Sequence, residues 1–255
     1  TMSQYAALML MKEHVGEYRM QKFLQYELNR YLFGRSVERR GERPIYRTAN
    51  QQHIHYRKGS VVMYGLADYL GEDVLNRGLG EYVKAVRLQN APYTITPEWV
   101  AAIQRHAPDS LQRFVSDGLE RITLYDNRLT EATARQLPDG RWQVRLKVQA
   151  GKVYADSLGA ETPAPATAYD PLPIALLPEK GADGRPPKPL LLVKRRVKPG
   201  ENVLTFTLKQ KPAKAGVDPY HVLVDRTLED NVKDVSDGDA AKDAGKKKPA
   251  VAVVQ

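Results

Sequence analysis

The residues of this sequence best suited to chemistry stand together in HIHYRKGSVVMYGL, positions 53–66. His53 and His55 are two apart, so on an extended strand both rings would point the same way, as metal ligands do. No third His, Asp or Glu stands at a spacing that completes a site, and the pair also reads as ordinary loop histidines ahead of a helix. Tyr56 is the stronger candidate. A phenol keeps its proton at neutral pH and can donate a hydrogen bond to a developing oxyanion. Gly59, three residues on, permits close backbone approach. The alternative reading is a ring packed at a loop–helix junction.

Other candidates are weaker. The sequence has no H-E-x-x-H, G-x-S-x-G, P-loop or G-x-G-x-x-G motif. Glu13 and His14 are adjacent, so they are not a disguised zinc motif. Asp68, Glu72 and Asp73 read as a helix end and the next cap. Tyr26, Tyr31 and Tyr64 read as core or rim aromatics.

The elements that must position these residues change type along the chain. Met20, Phe23, Leu24, Glu27, Leu28 and Tyr31 form one helical stripe in which only Glu27 is polar, with Gly34 read as its stop. Val62, Leu66, Tyr69 and Leu70 form a second stripe ended by Gly71. Leu75, Leu79, Tyr82, Val83 and Val86 form a third. TPEW at 96–99 predicts a helix start with Thr96 as cap and Pro97 in the first turn. Asp109 is expected to cap a last helix carrying Leu111, Phe114, Val115 and Leu119.

After residue 125 the period falls to two. RWQVRLKV at 141–148 alternates strictly, and LPDG before it is a turn, so 129–148 reads as a hairpin. Further strands are expected at 174–177, 190–196, 202–209 and 220–225. The fold class is therefore α+β: a helical bundle over 1–122, an antiparallel β-sandwich-like domain over 123–228, and a disordered polar tail over 229–255.

The sequence has 255 residues, no cysteine and a net charge of +9. Thiolate metal sites and disulfides are excluded. The longest apolar run, AALMLM at 6–11, is far short of the roughly twenty residues that span a bilayer. The basic charge is spread along the chain with no stacking aromatics beside it, which is a weak nucleic-acid footprint, and no nucleic-acid partner is expected. The sequence opens on Thr, and apolar periodicity starts at once, so it is expected to be a piece of a longer chain.

QYAALMLMKEHVGEYRMQKFLQYELNRYLFGR (4–35), followed by YRTANQQHIHYRKGSVVMYGLADYLGED (46–73), resembles the M1 family of zinc metallopeptidases, the gluzincin aminopeptidases. It looks most like the branch fused to an ABC-2-type transporter permease. ITLYDNRLTEATARQLPDGRWQVRLKV (122–148) resembles the β-domain that follows in that branch. The resemblance covers residues 1–228 and implies that the helices are the C-terminal part of a thermolysin-like catalytic domain.

In that family H-E-x-x-H supplies two zinc ligands and the general base, a Glu on the following helix supplies the third ligand, and a Tyr before x-K-G stabilises the tetrahedral intermediate. That Tyr is Tyr56, in Y-R-K-G at 56–59. TMSQY at 1–5 matches the continuation of the third-ligand helix, so the resemblance implies a Glu immediately before Thr1 and H-E-x-x-H about twenty residues earlier. The implied protein is a zinc-dependent aminopeptidase acting on peptide substrates. Its membrane-associated parent would carry a transmembrane permease part and an extracytoplasmic peptidase domain. This chain alone would neither hold zinc nor hydrolyse peptides. It would expose apolar surface at Met2, Tyr5 and Met9, where the rest of its own polypeptide docks. Two other classes compete: a non-catalytic M1-like binding or assembly domain on the permease, and a basic binding protein.

Overall fold

A computed structural model describes residues 1–180 and 187–238. The apolar stripes become helices: α1 (Met2–Val15), α2 (Gln21–Val37), α3 (Gly59–Leu70), α4 (Glu72–Val86), α5 (Thr96–His106) and α6 (Gln112–Leu119). Among the described residues eleven strands follow from Ile122 onward. The fold is therefore α+β, with six helices and three sheets among the described residues. None of the described helices is long and apolar enough to cross a membrane.

The chain divides into two compact units. The first holds Thr1–Leu124, Val153–Ala164 and His221–Arg226. Its centre is α3, which is buried from Gly59 through Ala67. An α-helix buried on every side has no solvated stripe, which is why its sequence is almost continuously apolar. α2 lays Leu24, Leu28 and Tyr31 into this core, each such burial contributing about 1.5–3 kcal/mol. α3 ends at Gly71, at φ 91°, as its sequence predicts. Strands β1 (Ile122–Tyr125), β4 (Lys152–Ala155) and β5 (Glu161–Pro163) form a small sheet in that order.

Several local expectations are corrected. Gly34 does not stop α2, which runs on to Val37. A Cβ at Gly34 would collide with the His53 side chain, so this glycine serves a close approach. Ile95, not Thr96, is the cap residue of α5, and Leu111, not Asp109, precedes α6, neither with a side-chain cap bond. Val83 is exposed, not inward. Tyr5 is buried, and Met2 and Met9 are half-buried. The Tyr5 hydroxyl donates to Asn76 Oδ1 at 2.9 Å, so α1 has less free apolar surface than expected.

The second unit holds Tyr125–Lys152, Pro165–Tyr220 and the chain from Thr227. One four-stranded sheet has the order β11 (Ser236–Asp237), β2 (Arg128–Gln136), β3 (Trp142–Ala150), β8 (Gly200–Leu208). The predicted hairpin is β2–β3, paired antiparallel with Ala134 opposite Val144 and Ala132 opposite Leu146. Val144, Leu146 and Val148 are fully buried while their neighbours are half-buried, the alternation that period two requires. The other sheet has the order β10 (Val232–Asp234), β9 (Lys214–Val217), β6 (Leu172–Leu177), β7 (Leu191–Arg195).

Two expectations fail at this end of the chain. Residues 220–225 are not a strand, although Val222, Leu223 and Val224 are buried. Asp218 and His221 have positive φ, which breaks the extended run. Residues 229–238, expected as the start of a polar tail, include β10 and β11. Their polar side chains lie outward while the backbone completes ladders with β9 and β2. The tail beyond 238 lies outside the described residues.

Candidate functional site

His53–Lys58 forms a π-helical turn that leads directly into α3. Such turns are rare and occur mostly as single insertions in helices, frequently at functional sites. On this turn Ile54 and Lys58 face inward and are buried. Tyr56 faces outward and is 44% exposed.

The residues that follow Tyr56 anchor it. Arg57 Nη1 donates to both oxygens of Glu27 on α2, at 2.9 and 3.0 Å. Its guanidinium also lies 5.6 Å from the centre of the Tyr26 ring. Lys58, 1% exposed, donates from Nζ to Glu42 Oε1 at 2.9 Å. Glu42 also accepts from the Tyr31 hydroxyl at 2.7 Å and from Arg35 Nε at 2.6 Å. Lys58 further sits 5.1 Å from the Tyr31 ring centre. A buried charge persists only when paired and hydrogen-bonded, and here every member of the cluster has a partner.

The electrostatics follow from this burial. Desolvation lowers the Lys58 pKa, and the Glu42 charge offsets only part of it. Burial also opposes ionisation of Glu42, as the largest single influence. The Lys58 charge and the hydrogen bonds from Tyr31, Lys58 and Arg35 together outweigh it, so the carboxyl titrates below its ordinary value. Tyr31 is pushed well up, by burial first and then by Glu42.

The start of α1 meets the same turn. Thr1 Oγ1 donates to the His55 carbonyl at 2.8 Å. A Cβ at Gly59 would lie 2.6 Å from Thr1 Oγ1, so only glycine lets α1 come this close. The His55 ring tilts against Tyr56, with centroids 4.8 Å apart. Burial lowers the His55 pKa.

The two histidines do not act as a pair. Residues two apart on a helical turn face different ways, so the strand geometry that would align them does not arise. His53 stacks at 6.4 Å on Tyr31, seated where Gly34 leaves room. Its Nε2 is buried without a hydrogen-bond partner among the described residues. Among the described residues no group of three His, Cys, Asp or Glu side chains could hold a metal.

Glu13 and His14 are exposed on α1. Asp68 is in the last turn of α3, and Glu72 and Asp73 open α4 behind the cap residue Gly71. Tyr31 and Tyr64 are buried and Tyr26 is a rim residue. Sequence reasoning missed the roles of Glu27 and Glu42. Glu27 did carry a signal, as the one polar residue of an apolar stripe. Glu42 carried none, because its partners are distant in sequence.

No protein-family model matches the sequence, and no curated protein matches it as a relative.

Proposed function

We propose that this chain is the C-terminal portion of a zinc-dependent M1-like aminopeptidase in which Tyr56 stabilises the tetrahedral intermediate of peptide hydrolysis. The zinc ligands and the general base would come from residues of the parent that precede this sequence. The observation that carries the reading is the open presentation of Tyr56 on a clamped π turn beside the start of α1, bonded through Thr1 and His55 at 2.8 Å.

The chemistry assigned to Tyr56 is donation of its phenolic hydrogen to the carbonyl oxygen as that oxygen gains negative charge. An oxyanion donor works only if it is already in place and costs no reorganisation. The Arg57–Glu27 and Lys58–Glu42 pairs supply that rigidity, since they fix the residues next to Tyr56 to other parts of the bundle. The two four-stranded sheets of the second unit agree with a sandwich-like domain following a thermolysin-like one. The parent is read as the extracytoplasmic peptidase domain of a membrane-associated transporter permease.

The test is Tyr56→Phe in the full-length parent. It should lower kcat by about 10²–10³, the effect of one lost oxyanion donor, with zinc content unchanged. An unaltered kcat would retire Tyr56 as a catalytic residue. A parent without turnover, or one lacking H-E-x-x-H, would favour the non-catalytic binding domain instead.

A further inference from the structure

Exposed apolar side chains gather at the connection between α4 and α5. Val83 in the last turns of α4 is exposed, and so are Leu88, Tyr93 and Ile95 beyond it, Leu88 by 92% and Tyr93 by 75%. Every residue of 87–95 is exposed except the half-buried Thr94, so the segment is a tip open to solvent rather than the wall of a groove.

The tip is held in this form. The Tyr82 hydroxyl bonds Thr94 Oγ1 at 3.1 Å, and Thr94 donates to Glu98 at 2.6 Å. The Gln89 side-chain amide donates to the Pro92 carbonyl at 2.8 Å. Leu88 has φ 60°. For a bulky residue that conformation is an outlier, and such strain persists only where the surrounding structure imposes it. Here it accompanies a leucine left almost wholly in water. Neither the strain nor the exposure helps the free chain, and contiguous exposed apolar surface marks an interaction site.

Charge indicates the occupant. Across 77–106 the two helices and their connection carry Arg77, Lys84, Arg87 and Arg105 against Glu81 and Glu98, an excess of two positive charges (four less two). Glu81 is bonded to His106 and Glu98 to Thr94. Lys84 and Arg87, which lead into Leu88, have no carboxylate partner among the described residues. Two free cations beside an apolar tip complement an anionic bilayer surface. There leucine and isoleucine enter the acyl boundary, tyrosine sits at headgroup level, and lysine and arginine reach the phosphates. A protein partner calls for a broad, closely fitted face, whereas a bilayer accepts a convex tip.

We propose that the 87–95 tip inserts into the headgroup region of an anionic bilayer. Leu88, Tyr93 and Ile95 are the inserted side chains, and Lys84 and Arg87 lie on the phosphates. The contact is peripheral, so it requires no spanning helix. It is also independent of any catalytic role for Tyr56.

Flotation of the chain with vesicles of phosphatidylcholine alone, and of equal parts phosphatidylcholine and phosphatidylglycerol, tests this. The mixed vesicles should carry the chain, and the neutral ones should carry far less. Leu88→Asn, chosen because asparagine tolerates positive φ, should weaken binding to the mixed vesicles about tenfold. The double variant Lys84→Gln, Arg87→Gln should weaken it about tenfold or more. Leu158→Ser, at a leucine 88% exposed elsewhere in the first unit, should leave it unchanged. All of these side chains are exposed, so circular dichroism and Tm should not change. The net charge of +9 by itself draws the chain to anionic lipid. Binding that ignores Leu88→Asn, or that Leu158→Ser weakens equally, would reduce the contact to this diffuse attraction and overturn the proposal. Absence of binding to the mixed vesicles would overturn it as well, and would leave a protein as the occupant of the tip.

Discussion

Lys58 is where the candidate site and the stability of the bundle meet. Its ammonium is almost fully withdrawn from water and bonded to Glu42. Removing one partner of such a pair strands the other charge, at a cost of about 3–5 kcal/mol. Glu42→Gln should therefore destabilise the chain by that amount in urea unfolding, and adding Lys58→Met should recover part of the loss. A cost under about 1 kcal/mol, the size of an exposed ion pair, would mean that the cluster does not hold the turn. The pH dependence has a fixed sign. Glu42 is held below its ordinary value of 4.5, burial opposing and Lys58 with the hydrogen bonds prevailing. The folded protein thus binds this proton less readily than the unfolded chain does. The stabilisation is complete above 4.5 and is lost as pH falls through the lowered native value. The stability gap between wild type and Glu42→Gln should close over that acid range.

The π turn depends on glycine at Gly34 and Gly59, for reasons of space, and Gly80 supplies the contrast. At Gly34, in the body of α2, an added methyl meets the His53 side chain. At Gly80, in α4, it meets nothing within 4 Å. Alanine is the better helix former by about 1 kcal/mol, so Gly80→Ala should raise Tm. Gly34→Ala should lower it, overpacking costing about 1–3 kcal/mol; equal gains at both sites would deny the close approach. The same contrast marks what could be read in the sequence. The stripes of α2, α3 and α4 and the alternation of β3 were legible, because burial on one face imposes a period on residue type. The π turn was not, because a shift of hydrogen-bond partner changes no residue type. Gly34 looked like a stop since only its neighbour across the turn distinguishes approach from termination. β10 and β11 were missed because they contribute backbone pairing with polar side chains. The apolar run at 222–224 was misread as a strand because complete burial of irregular chain looks the same. Of the site, Tyr56 was legible from Y-R-K-G, whereas its anchor Glu42 was visible only in three dimensions.

Across the whole molecule, 39 Lys and Arg residues face 30 Asp and Glu residues. The excess is a formal footprint for a polyanion, and its strength depends on how many cations stand clear of carboxylates. Many do not. Arg57 and Arg35 are bonded to Glu27 and Glu42, Arg145 and Lys147 both engage Glu131, and Arg141 engages Asp139. The Arg145–Glu131 and Lys147–Glu131 pairs set opposite charges across the β2–β3 ladder. This interleaving leaves that face without a single-sign stripe for a phosphate backbone. Proteins that neutralise six to ten phosphates lose about 10³–10⁵ in affinity between 50 and 200 mM salt. Here the expected loss for a DNA duplex over that range is under about tenfold, since one or two contacts at most should form. Fluorescence anisotropy with a labelled duplex at graded salt measures it. A loss on the scale of a true nucleic-acid binder would show that the cations are gathered where they can act together, and would place a polyanion among the partners.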